Sequence, residues 1–298
     1  MTNNQDFENF KRKNKITPPM LLEMKRIGMR ISMLTAYDYP TALALDSAGL
    51  DAILVGDSLG MVVLGYENTL PVTMDIMVQH CKAVALGAKR ALLIGDMPFL
   101  SYQISKEEAI LNAGRLLQEG RVQAVKMEGG RERGNTIEGV INSGIPVMGH
   151  IGLTPQSIHL LGGFRTQGKE AFSANRLVED ALFLQEAGCF SIVLESIPNN
   201  LADYISKKLI IPTIGIGAGG GCDGQVLVTH DMLGLFQRFK PKFVKQYANF
   251  YADMERIFRQ YCVEVGEGIF PDHEHWTNMP DLEWEKFLEI EERRFGSR

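Results

Sequence analysis

Short apolar runs recur along the chain, and each stops at a charged or imidazole side chain. Ala52-Ile53-Leu54-Val55-Gly56 ends at Asp57, and Ala91-Leu92-Leu93-Ile94-Gly95 ends at Asp96. Val122 to Val125 runs into Lys126-Met127-Glu128, Ile145 to Gly149 into His150, and Ser191 to Leu194 into Glu195. Such runs predict strands buried on both faces, the kind found in parallel sheets. With the weaker runs included, eight strands are expected, at about 31–36, 52–56, 91–95, 122–127, 146–149, 191–194, 212–216 and 243–246.

Between the runs the apolar spacing changes to a helical period. Helices are expected over 41–48, 75–86, 106–119, 136–143, 174–187 and 200–207. Ser105 with Glu108 has the spacing of a capping box before the third of these. Gly49, Gly87, Gly120, Gly144 and Gly188 follow helical stretches and fit left-handed C-caps. Strand and helix in alternation predict an α/β (β/α)8 TIM barrel, with a doubly wound open sheet as the alternative. Either architecture gathers the C-terminal ends of its strands at one mouth, so the charged run-ends would meet there. Residues 57–74 and 150–173 exceed ordinary loops and would overhang that mouth. The whole chain, 1–298, is expected to be one barrel domain with a polar arm over 1–15 and a helical appendage over about 252–298 for packing or oligomer contact.

Composition narrows the function classes. The 298 residues are 45% hydrophobic and 22% charged, an ordinary globular balance. Net charge is -5, without the basic surplus of a nucleic-acid binder. Cys81, Cys189, Cys222 and Cys262 are widely spaced and are expected to be free thiols in a reducing compartment. The basic cluster Lys11-Arg12-Lys13 with Lys15 is expected in a solvated, frayed terminus. No secretory apolar region and no run of about 18 apolar residues is present, so the expected location is the cytoplasm, without membrane contact.

The candidate chemistry follows from the run-ends. Asp57, Asp96 and Glu128 are carboxylates with no His or Cys cluster beside them, a donor set suited to a hard cation such as Mg²⁺. Each aspartate could instead cap a following helix. Lys126 and Glu128 are two apart in an extended segment and share a face, so they could serve substrate and metal or simply pair with each other. Glu195 closes a strongly apolar strand, where desolvation favours a general base; a helix cap is the other reading. His150 fits a site residue and a hydrogen-bonded core histidine equally. The run Gly215 to Gly221 lacks the following acid of a dinucleotide fingerprint and fits a close-packed turn after strand seven.

The segments VGDSLGMVVLGYENTLPVTMDIM, IGDMPFLSY, VKMEGG, PVMGHIGLTPQS, VLESIP and IGIGAG, with DGQVLV and HD beyond, closely resemble ketopantoate hydroxymethyltransferase over about residues 16–250. The resemblance implies a barrel of the phosphoenolpyruvate/pyruvate group. It implies transfer of a hydroxymethyl group from 5,10-methylenetetrahydrofolate to 3-methyl-2-oxobutanoate, giving 2-dehydropantoate for pantothenate synthesis. It further implies metal-site acids at Asp57, Asp96 and Glu128, substrate contacts at Asp57, Ser58, Asp96, Lys126 and His150, and a proton acceptor at Glu195, with Mg²⁺ as cofactor and a homo-oligomer, a decamer, as the assembly. Two other readings stand beside it: a Mg²⁺-dependent carbon–carbon lyase or mutase on a small 2-oxo acid, and a non-catalytic barrel.

Overall fold

The computed structural model describes residues 7, 8, 11 and 14–296. Eight parallel strands close into a barrel in sequence order: β1 Ile31–Thr35, β2 Ala52–Val55, β3 Leu92–Asp96, β4 Ala124–Glu128, β5 Val147–Gly152, β6 Ser191–Glu195, β7 Thr213–Ile216 and β8 Gly224–Leu227. Helices α1 Pro18–Arg26, α2 Tyr39–Ala48, α3 Leu59–Val62, α4 Met74–Gly87, α5 Lys106–Gln118, α6 Gly134–Asn142, α7 Ile158–Leu161, α8 Ala171–Glu186, α9 Asn199–Lys208 and α10 Thr229–Met232 complete this part. It is the (β/α)8 TIM barrel expected from the alternating pattern, and the open sheet is excluded by the β1–β8 pairing.

The eighth strand is not where the pattern placed it. Residues 243–246 are irregular, and β8 lies at Gly224–Leu227 instead. Here the glycine turn after β7 leads straight into β8, and only the four-residue α10 follows. Helix α1 is additional to the expected helices; Pro at its start and Lys25-Arg26 in its last turn mark it, and it buries Leu21 and Met24.

Local chemistry explains most helix ends. Asp38, Thr73 and Ser105 accept backbone N–H bonds at the starts of α2, α4 and α5. Of the Ser105–Glu108 capping box, the serine half is present: Ser105 Oγ accepts from the Glu108 N–H at 3.1 Å. Gly49, Gly144 and Gly188 adopt positive φ, as expected of C-caps, but Gly87 and Gly120 do not. Those two are close-packing sites. A Cβ on Gly87 would stand 2.6 Å from the Tyr39 carbonyl oxygen of α2, and one on Gly120 would stand 2.9 Å from Cys81 Cβ of α4.

Alternate residues of each strand point into the barrel. Its lower layers are apolar, with Met33, Leu54, Leu92, Ile94, Ala124, Met148, Val193, Ile214 and Val226 packed together. Each large buried side chain contributes about 1.5–3 kcal/mol. One further step along the same inward faces stand Asp96, Lys126, His150 and Glu195. The outer faces pack against the helices in a second, larger core. The basic N-terminal cluster departs from the expected solvated arm. Lys11 is buried and paired with Asp51 at 2.8 Å, and Lys15 Nζ donates to the Ala91 carbonyl at 2.7 Å. Arg12 and Lys13 lie outside the described residues. The cysteines are free; Cys81, Cys189 and Cys222 are buried and Cys262 is exposed. Burial pushes the Cys189 thiol up to about 12.

The chain divides between Ala248 and Asn249 into two compact units, three residues before the expected start of the appendage. The second unit carries α11 Phe250–Gly266 and α12 Asp281–Phe295. Asn249 caps α11 through a 3.4 Å bond from the Ala252 N–H. No described residue of this unit is buried. No helix among the described residues is long and apolar enough to cross a membrane.

Candidate active site

The strand ladders bring the run-ends side by side. Asp96 pairs in register with Lys126, Glu128 with His150, and Gly152 with Glu195. Asp57 and Ser58 follow β2 at the same end of the barrel. All seven singled-out residues (Asp57, Ser58, Asp96, Lys126, Glu128, His150 and Glu195) line one cavity of about 590 Å³. Asp57, Asp96, Lys126, Glu128 and His150 are each no more than 4% exposed and form its floor.

The floor is a dense charge network. Lys126 Nζ is 2.8 Å from Asp96 Oδ1 and 3.7 Å from Glu128 Oε1. The lysine therefore pairs chiefly with the neighbouring strand, not with Glu128 two residues along its own. Burial disfavours the ammonium, but Asp96, Glu128 and Asp57 outweigh it and keep Lys126 charged. Burial raises the Asp57 carboxyl well above the usual range, and the nearby Asp96 and Glu128 raise it further. Asp96 is raised for the same first reason, with Lys126 opposing. Glu128 goes the other way: burial would raise it, but Lys126 and His150 hold it low.

His150, undecided from sequence, sits at the centre. Its Nδ1 is 3.1 Å from Lys126 Nζ and 3.4 Å from Glu128 Oε1, and its Nε2 is 3.2 Å from Glu195 Oε2. Burial and Lys126 disfavour the imidazolium, but the two glutamates overcome them and raise His150 to about 9. In that state ring and ammonium both face Glu128 and cannot bond each other. The Nε2–Glu195 approach is an ion-pair distance without hydrogen-bond alignment.

Several residues escaped the sequence pattern. Gln156, in the loop after β5, donates from Nε2 to Asp57 Oδ2 at 2.9 Å and to the Met97 carbonyl at 2.8 Å, while its N–H donates to Glu128 Oε2 at 3.1 Å. Tyr102 donates to Gln156 Oε1 at 2.8 Å. Gln156 thus ties two of the acids together; being uncharged and off a strand, it carried no signal beyond its place in a long loop. Tyr37 holds Ser58 through a 2.8 Å hydroxyl–hydroxyl contact. Asp231 of α10 also lines the cavity, and burial pushes its carboxyl up to about 6.

The donor set fits a divalent cation. Three buried carboxylates outnumber the lysine among them, and Asp96 Oδ1 and Glu128 Oε1 accept no hydrogen bond. Among the described residues, no three His, Cys, Asp or Glu side chains form a ready cage. Mg²⁺ commonly takes one or two protein carboxylates and completes its shell with substrate and water, so two or three oxygen donors beside an open cavity suit it.

The chain matches the family model described as ketopantoate hydroxymethyltransferase over residues 15–273. It is 56% identical to a 3-methyl-2-oxobutanoate hydroxymethyltransferase of Syntrophus aciditrophicus (strain SB), covering 88% of this chain and 96% of that one. The chain belongs to the ketopantoate hydroxymethyltransferase family. A second relative of the same name, from Moorella thermoacetica (strain ATCC 39073 / JCM 9320), is 56% identical over 88% of this chain and 98% of its own. Among solved structures, phosphonopyruvate hydrolase complexed with oxalate and Mg++ aligns with a TM-score of 0.57 at 12% identity, over 94% of this chain and 99% of that one. A 2,3-dimethylmalate lyase of the PEP mutase/isocitrate lyase superfamily aligns at 0.54 and 13%, over 93% and 96%. At such identities these structures establish the shared barrel alone.

Proposed function

We propose that this chain transfers a hydroxymethyl group from 5,10-methylenetetrahydrofolate to C3 of 3-methyl-2-oxobutanoate, giving 2-dehydropantoate for pantothenate synthesis, with Mg²⁺ as cofactor. The observation that carries the reading is the cavity floor: in a member of this family, three carboxylates and a lysine converge beneath a general-base candidate at the mouth of the barrel. Mg²⁺ held by Asp57, Asp96 and Glu128 would supply Lewis acidity at the keto oxygen and carboxylate of the substrate.

Glu195, whose side chain is 15% exposed at the end of β6, reaches the cavity and takes the C3 proton. Lys126, kept cationic by its acids, faces the negative charge that grows on the keto acid as that proton leaves. Ser58, fixed by Tyr37, meets the substrate from the β2 side. The resulting carbanion bonds the donor's methylene carbon as the bond from that carbon to N10 breaks and N10 takes the proton removed from C3; water then displaces N5 from the same carbon, leaving the hydroxyl there and its other proton on N5 of the departing tetrahydrofolate. His150, beside Glu195, is placed to hydrogen-bond the new hydroxyl. The apolar lower barrel keeps bulk water from the floor, which strengthens each of these electrostatic contacts.

The deprotonation is testable without folate. In D₂O with Mg²⁺, wild type should exchange the C3 proton of 3-methyl-2-oxobutanoate, followed by NMR. Glu195→Gln should lower that rate at least ~100-fold, the scale of a positioned base. Exchange at the wild-type rate would remove Glu195 from the role. Carbon–carbon cleavage of a 2-oxo acid without folate would instead favour a lyase.

A further inference from the structure

The cavity is far larger than a small keto acid, and its chemistry changes from floor to mouth. Besides the charged floor, the cavity has an aromatic lining. Phe164 packs on Phe239 with ring centroids 6.1 Å apart, and Phe236 meets Phe239 edge-on at 5.4 Å. Phe164 and Phe239 are 52% and 45% exposed, apolar rings left open where a flat partner could cover them. Asp231 of α10 lines the same cavity as these rings. It is half-buried, and no side-chain hydrogen bond or ion pair to it is found among the described residues.

That carboxylate is anomalous. Every acid on the floor has a cation or an N–H partner, whereas Asp231 loses hydration and gains nothing in return. A half-buried carboxylate of this kind is stabilised by a ligand that brings donors to it. Its position is not remote from the chemistry: its charge is felt at Tyr37, which holds Ser58 next to Asp57. Helix α10 is tied to the barrel at its start, where the Thr229 N–H donates to Thr35 Oγ1 of β1 at 3.0 Å. At the rim Lys242 adds an exposed positive charge.

We infer that Asp231 binds the pterin of the folate co-substrate, accepting the paired N–H donors of its 2-amino and N3 groups while Phe164 and Phe239 cover the ring. The assignment rests on the folate-donor reading above. The pterin edge presents two parallel N–H groups, the complement of a carboxylate. The ring then lies between the aromatic wall and the floor, with the transferable methylene towards the keto acid and the negatively charged glutamate tail towards Lys242.

The test separates this subsite from the donor reading. Steady-state kinetics of wild type and Asp231→Asn are measured with each substrate varied in turn. The variant should raise the KM for methylenetetrahydrofolate about tenfold or more beyond any change in the KM for the keto acid. A donor analogue lacking the 2-amino group should weaken wild type by a similar factor and the variant much less, a coupling that a merely unstable variant would not produce. Equal KM changes for both substrates, or an analogue that weakens both proteins alike, would overturn the subsite while leaving the donor reading intact. A wild type without folate-dependent turnover would remove both.

Discussion

Asp96 accepts from the Asp57 N–H at 3.2 Å and pairs with Lys126 at 2.8 Å, so one carboxylate ties together the end of β2 and the buried lysine of β4. Removing it leaves Lys126 buried with weaker compensation. Asp96→Ala is therefore expected to abolish Mg²⁺-dependent binding of 3-methyl-2-oxobutanoate in titration calorimetry; an unchanged affinity would contradict the metal assignment. At this scale the sequence was informative about identity and poor about pairing. The residues that converge were visible as charged ends of apolar runs, because burying a charge demands a reason. Which one Lys126 would pair with was not visible, since that depends on the register between β3 and β4. Gln156 was invisible for a different reason: an amide in a loop leaves no trace in a pattern of charge and hydrophobicity, although it bridges Asp57 and Glu128.

Elements carry the site as much as side chains do. Glu195 stands opposite Gly152 in the β5–β6 ladder, and Gly152 takes φ 98° there. A Cβ at that position would lie 2.2 Å from the Glu195 carbonyl oxygen and 2.8 Å from Ile197 Cγ2. Gly152→Ala must both strain its own backbone and push Glu195, the proposed base, out of line. A loss of about 1–3 kcal/mol in urea unfolding is expected, together with a fall in kcat; a variant with wild-type stability and turnover would show that the close approach does not position Glu195. The strands from β2 to β6 were legible because each is a compact apolar run with a marked end. The eighth was not, since Gly224-Gln225-Val226-Leu227 is short, begins with glycine and exposes its glutamine. Only pairing with β1 and β7 makes it a strand.

At the scale of the whole molecule, the barrel unit contains every residue of the proposed chemistry, and the unit after Ala248 contains none. The barrel separates its tasks along its axis, with apolar layers below for stability and a charged layer above where strand ends meet. The architecture was readable from alternation because a parallel strand requires a crossover, and the crossovers here are mostly amphipathic helices. The substrate was not readable from alternation, since one barrel serves many reactions; family membership narrows it. The most direct measurement is transfer of label. Purified protein is mixed with Mg²⁺, 3-methyl-2-oxobutanoate and tetrahydrofolate carrying a ¹³C methylene, and the products are read by NMR. The account predicts ¹³C in the hydroxymethyl group of 2-dehydropantoate, formed only when donor and keto acid are both present. Binding of the keto acid and Mg²⁺ with no labelled product would contradict it.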